Sequence, residues 1–143
     1  MRKLMLSVLS LSILVMFATQ ALADDCAPAK VTNLAVGTGK TTAVLEWTDP
    51  GNDCNTGTAS SYEIRRSSST ITDTNWQSAT VVATGTPAGS NGTGDCRQIT
   101  GLTCEQTYYY VIFHFDAAGN RSPISNCVSG TQASCSFSPE VDC

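Results

Sequence analysis

The chain has one histidine, His114, and no two of its cysteines lie closer than eight positions. Zinc sites draw on closely spaced cysteine pairs with companion histidines, so neither a metal nor any other cofactor is expected. GxSxG, HExxH and a glycine-rich phosphate loop are missing too, which removes the usual sources of a nucleophile, a metal-bound water or a nucleotide site. His114 and Asp116, two positions apart, would share a face of a strand and are the one pair from which acid–base chemistry could be argued. No nucleophile or oxyanion site accompanies them. No catalytic residue is therefore assigned, and His114 reads as a structural or rim residue.

Positive charge is scarce. After residue 23 only six basic residues remain (Lys30, Lys40, Arg65, Arg66, Arg97, Arg121) against twelve acids, a formal charge of −6. That balance repels polyanions and excludes nucleic acid as a partner. No long apolar run follows residue 23 either, so no membrane span is expected beyond it. Before it, Arg2 and Lys3 lead into an apolar stretch over residues 4–18, closed by Ala21, Leu22 and Ala23. This is the pattern of a secretory signal; the run is short of the about 20 residues of a spanning helix and is interrupted by Ser7, Ser10 and Ser12. Removal after Ala23 leaves 120 residues beginning at Asp24, one domain's worth of chain. Asp24 and Asp25 do not suit a lipobox ahead of Cys26.

All seven cysteines (Cys26, Cys54, Cys96, Cys104, Cys127, Cys135, Cys143) follow the signal, so they read as disulfides formed outside the cytoplasm: extracellular, at the cell surface or in the periplasm. Thr, Ser, Val, Tyr and Gly dominate and no helical period is sustained, which points to an all-β domain. In TTAVLEW, Ala43, Leu45 and Trp47 share one face, and Thr42, Val44 and Glu46 the other. SYEIRR sets Tyr62 and Ile64 inward, with Glu63 and Arg65 outward. TYYYVIFHF places Tyr108, Tyr110 and Ile112 on one side and Tyr109, Val111 and Phe113 on the other.

Turn-rich segments at 49–57, 85–95 and 116–123 separate these runs, and 85–95 is expected to be the most mobile. Asp49, Asn52, Asp53 and Asn55 offer oxygen ligands for calcium, but without EF-hand spacing or a closing glutamate; a solvated turn is the better reading. Asn91 and Asn120 begin N-x-S/T sequons. Arg65 and Arg66 offer a contact patch, but a solvated strand edge is the better reading.

Six pieces in order then carry a resemblance: APAKVTNLAV, LEWTDPG with Trp47, TASSYEIRRS with Tyr62 and Ile64, TNWQSAT with Trp76, ITGLTCEQTYYYVI, and DAAGNRSPISN. Over residues 28–131 the chain resembles a fibronectin type III domain of the kind common in bacterial secreted proteins. The resemblance implies a seven-stranded immunoglobulin-like sandwich, with strands A, B and E in one sheet and C, C′, F and G in the other. It also implies a core containing Trp47, Tyr62, Ile64, Leu102, Tyr108, Tyr110 and Ile112. Leu102 precedes Tyr108 as in the family's tyrosine corner, whose hydroxyl returns to nearby backbone. The domain would run over residues 24–131, followed by a cysteine-containing tail at 132–143. Most such domains have no cysteines, so this one would be disulfide-stapled.

If Phe115 lies opposite Ile124 and no bulge intervenes, partner positions sum to 239, which sets Cys104 opposite Cys135. By fold analogy Cys54 and Cys96 share a pole of the sandwich and are expected to pair. Cys26 could then meet Cys127, leaving Cys143 exposed in the tail for a disulfide-linked homodimer. A local Cys135–Cys143 loop is the alternative. The function expected is a non-catalytic binding or adhesion module for an unidentified extracellular protein or glycan, using loops or a sheet edge. Alternatives are a structural subunit joined by edge pairing or an intermolecular disulfide, and a small disulfide-rich inhibitor or toxin.

Overall fold

A computed structural model describes residues 26–136 and Cys143. The expected signal, residues 1–23, and residues 137–142 of the expected tail lie outside the described residues. Seven strands form: β1 (Ala35–Thr38), β2 (Ala43–Thr48), β3 (Ser61–Ser67), β4 (Thr80–Gly85), β5 (Gly94–Ile99), β6 (Thr107–Phe115) and β7 (Val128–Thr131). They make two antiparallel sheets, ordered β1-β2-β5 and β4-β3-β6-β7. That is the A-B-E and C′-C-F-G division of the expected sandwich.

Period-2 alternation builds the space between the sheets. Ala43, Leu45 and Trp47 from β2 meet Tyr62 and Ile64 from β3 and Tyr110 and Ile112 from β6, all buried, with Leu34, Ile99 and Leu102 closing the ends. Trp47 meets Tyr62 edge-on, ring centroids 5.2 Å apart, the arrangement favoured by the ring quadrupoles. Burying each such side chain stabilises the fold by about 1.5–3 kcal/mol. Tyr108 is only partly buried against this cluster, and its hydroxyl accepts the Thr103 N–H at 3.3 Å.

Strand β6 is apolar at both parities because both of its faces are covered. Val111 and Phe113, on the outer side, pack with Ile71, Ala79 and Ile124 and are flanked by Trp76 and Phe115. A short 3-10 turn, Trp76–Ser78, brings Trp76 there. Arg65 holds that turn: its Nη1 donates to the carbonyls of Trp76, Gln77 and Ala79, and its guanidinium lies 4.7 Å from the Trp76 ring centroid. Arg121 covers the same ring at 4.4 Å. Strand β3 is paired on both sides, so the reading of Arg65 and Arg66 as a solvated strand edge is corrected.

The β6–β7 register also departs from expectation. Phe115 faces Arg121 rather than Ile124, and along the strands the pairs are Tyr110 with Val128 and Thr107 with Thr131, so the constant sum of 239 does not hold. Ser122 and Ser125 explain the drift. The Ser122 N–H donates to the His114 carbonyl, and its hydroxyl accepts the His114 N–H. Ser125 repeats both bonds with Ile112. Three residues of this segment thus span two of β6, because Pro123 has no N–H to give and serine hydroxyls stand in for a ladder.

At one side the two sheets are clipped together. The Asn126 side chain accepts the Leu34 N–H at 3.0 Å and donates to the Leu34 carbonyl at 2.9 Å, and the Ala133 N–H donates to the Gly39 carbonyl at 2.9 Å. Gly130 permits this approach, since a Cβ there would collide with Thr38.

Three disulfides staple the domain. Cys104 and Cys135 are joined, Cα atoms 5.3 Å apart. They lie beyond the ends of the β6–β7 ladder, where Glu105 N–H reaches the carbonyls of Gln132 and Ala133, so the bridge does not rest on the register argued from sequence. The other expectations are corrected. Cys54 pairs with Cys26, because the N-terminal segment runs beside the β2–β3 loop with Pro28 bridging Cys54. Cys96 pairs with Cys143, Cα atoms 6.0 Å apart. The unpaired thiol is Cys127, half-buried beside the outer cluster. Cys143 is therefore neither left over nor joined to Cys135.

Candidate functional site

His114 is buried in the core between the rings of Trp47 and Tyr62, beside the Asp49 carboxylate. It is 0% exposed, its ring lies 5.9 Å from that of Tyr62 and 6.4 Å from that of Trp47, and its Nε2 is 3.4 Å from Asp49 Oδ1. Asp49, 1% exposed, accepts Trp47 Nε1–H at 2.8 Å and the Gly89 N–H at 3.2 Å. Burial pushes the imidazole down to about 4, against a pull upward from Asp95. Burial also raises the Asp49 carboxyl, opposed by hydrogen bonds from Trp47, Gly89 and Ala88. At neutral pH His114 is uncharged and packs against Trp47, Asp49 and Tyr62 out of reach of solvent.

Asp116 does not join it. Its carboxylate accepts the backbone N–H of Asn120 at 2.7 Å and the Asn120 amide at 2.8 Å. Burial acts to raise this carboxyl, but those bonds, with N–H groups of Ala118 and Gly119, outweigh it and hold it below its ordinary value. Asp116 shapes the β6–β7 loop.

The oxygen ligands considered for calcium are not brought together. Asp49 points into the core, while the Asn52 side chain accepts the Ala117 N–H at 3.2 Å, tying the β2–β3 loop to the β6–β7 loop. Asp53 and Asn55 are exposed. The stretch 85–95, expected to be the most mobile, is held at several points. Asp49 N–H donates to the Thr93 carbonyl, Gly92 N–H to the Asp49 carbonyl, and Ala88 N–H to Asp95 Oδ2. Of the two sequon asparagines, Asn91 is exposed and its N–H meets the Gly57 carbonyl, whereas Asn120 is engaged with Asp116.

Among the described residues, the surface left open lies opposite the Asn126 clip. Strand β4 ends one sheet and β5 ends the other, and a groove of about 460 Å³ runs between them. Residues 80–83 and 97–101 form its walls, and Arg66 contributes as well. Val81, 44% exposed, is the exposed large hydrophobic side chain among the described residues. Arg66 stacks over Tyr108, 4.7 Å from the ring centroid.

Neither a family model nor a curated protein sequence matches the chain. Solved structures do. The sixth fibronectin type III domain of human fibronectin type III domain containing protein 3 is 20% identical with a TM-score of 0.54, the match covering 80% of this chain and 93% of that one. The chain has the fibronectin type III fold. A fibronectin type III domain from the human KIAA0970 protein is 15% identical with a TM-score of 0.54, covering 80% of this chain and 83% of that one. A β-1,2-glucanase from Parabacteroides distasonis is 21% identical with a TM-score of 0.56, over 76% of this chain but only 13% of the glucanase. At these identities the likeness concerns the fold alone.

On the fibronectin type III framework, the open groove lies between strands C′ and E. The sequence singles out Arg66 as a candidate contact but not Arg97 or Val81, and nothing in it points to the Asp49–His114 contact or to the stacking of Arg65 and Arg121 on Trp76. Those groupings join segments far apart in the chain, which no local pattern reveals.

Proposed function

We propose that this protein is a secreted, non-catalytic binding module whose fibronectin type III sandwich recognises an extracellular protein or glycan through its open sheet edge. The observation carrying this reading is the asymmetry of the two sides: Asn126 clips Leu34, just ahead of β1, to the segment leading into β7, while β4 and β5 leave a groove with Val81 exposed beside it. An unpaired sheet edge presents a row of backbone donors and acceptors on which another chain can pair. The loops are a weaker choice, since 49–57, 85–95 and 116–120 brace one another and the core. Three disulfides within the chain fit an oxidising compartment. Burial of the sole histidine and the engagement of Asp116 support a non-catalytic role. Joining of subunits through Cys143 loses its basis, because that cysteine is bonded to Cys96.

Photo-crosslinking tests the reading. p-Benzoylphenylalanine at position 81, with position 118 in the β6–β7 loop as comparison, is irradiated in the producing organism's own extracellular fluid. A discrete adduct from 81 and none from 118 is expected; an adduct from 118 alone would move the site to the loops.

A further inference from the structure

We infer that the open edge takes an extended acidic peptide, added as a strand to β4 with its carboxylates on Arg66 and Arg97. This rests on the binding-module reading and names the partner's chemistry. Strand β4 reads TVVATG: it has no charge and no proline, and four of its six residues are β-branched. Edge strands are usually guarded by charge, proline or a bulge. Here the irregularity is the register shift between Ile64 and Arg65, which leaves Val82 as the extra residue. The β3 side of β4 is paired, and the other side has no strand beside it among the described residues. Its free backbone groups are what strand addition uses.

Charge selects the occupant. Among the described residues no carboxylate lines the groove, yet two arginines do, in a chain where acids outnumber bases twelve to eight. Neither arginine takes part in an ion pair among the described residues, where the charged pair is Arg65 with Glu63. Asp95, two residues before Arg97, already accepts the N–H groups of Ala88 and Cys96. Arg66 is oriented by its stack on Tyr108. A second copy of β4 would bring the same two arginines against the first pair and be repelled. An added strand carrying acids at alternate positions sends both to one face, roughly 7 Å apart, where guanidinium forks hold carboxylates well. Strand addition supplies the backbone bonds, and the arginines supply the selection.

The test uses the full disulfide-intact chain and a fluorescein-labelled peptide TVEVEVT, read by anisotropy. The glutamate peptide is expected to bind, and TVQVQVT to bind at least about tenfold more weakly. Arg97→Gln should weaken the glutamate peptide by a similar factor while Arg97→Lys keeps part of the affinity. Arg66→Gln should do the same, with an unchanged circular dichroism spectrum confirming its fold. A TVEVEVT peptide N-methylated at alternate residues should lose binding, which plain ionic attraction would not produce. Equal binding of the glutamine or the N-methylated peptide overturns the inference. So does an acidic oligosaccharide that displaces the peptide at lower concentration, or a dimer in sedimentation that Val81→Lys dissociates. If TVEVEVT fails to bind while position 81 still cross-links a partner, this inference falls and the binding-module reading stands.

Discussion

Replacing His114 with phenylalanine should flatten the acid limb of the stability curve. In the folded chain, burial between Trp47, Tyr62 and Asp49 lowers the imidazole from 6.5 to about 4, with Asp95 pulling the other way. The unfolded chain protonates near 6.5, whereas the folded chain stays neutral until about 4, so the unfolded state binds more protons across that window. Stability is therefore full above pH 6.5 and falls as the pH drops towards 4, by on the order of 3 kcal/mol in total. The raised Asp49 carboxyl acts in the opposite sense, since the folded state takes up its proton first, and it offsets part of the loss at the acid end. Phenylalanine fits a site walled by two aromatic rings and does not titrate. Urea unfolding of both proteins, disulfides intact, at pH steps from 7.5 to 4 gives the difference directly. Stability of the wild type should fall relative to His114→Phe by roughly 2–3 kcal/mol across that range. Parallel curves, or an imidazole proton resonance in the folded protein that titrates near 6.5, would refute the buried neutral histidine.

Tyr108→Phe removes the hydroxyl that accepts the Thr103 N–H and should cost about 1 kcal/mol in denaturant unfolding, with the far-ultraviolet spectrum unchanged. Asn126→Ala strips both bonds from Leu34 and should destabilise by about 1–3 kcal/mol, with hydrogen exchange rising at Leu34. Replacing Cys26 and Cys54 together by serine opens a span with a sequence separation of 28 and should lower stability by about 2–4 kcal/mol. Alkylation under denaturing, non-reducing conditions followed by peptide mapping should find one free thiol per chain, at Cys127, and none at Cys143; a labelled Cys143 would contradict the framework.

The strands were legible where one face is more exposed than the other, as at Tyr62 and Ile64 against Glu63 and Arg65, because burial on one side imposes a period of two; in β2 the second face is partly covered too, with Val44 and, just ahead of the strand, Thr42 buried. The tyrosine corner was legible because Leu102 and Tyr108 are close in sequence. The β6–β7 register was not, since Ser122 and Ser125 replace ladder partners with side-chain hydroxyls and stretch three residues over two. Two cysteine partnerships were misassigned for a related reason. Cys26 reaches Cys54 through a parallel run of the N-terminal segment beside a loop, and Cys143 reaches Cys96 from the chain end; neither approach has a periodic signature. DPGN marks Asp49 as a turn residue, and only the folded chain turns its carboxylate inward to Trp47 and His114. The groove is the least legible feature: Arg66 and Arg97 belong to different sheets, and nothing local links them.

Hydrogen–deuterium exchange of the protein, alone and with the partner recovered through position 81, tests recognition at the open edge most directly. The account predicts added protection over 80–85 and 94–99, with 49–57 and 116–121 unchanged. Protection confined to those two loops, with the β4 amides exchanging as in the free protein, would contradict it.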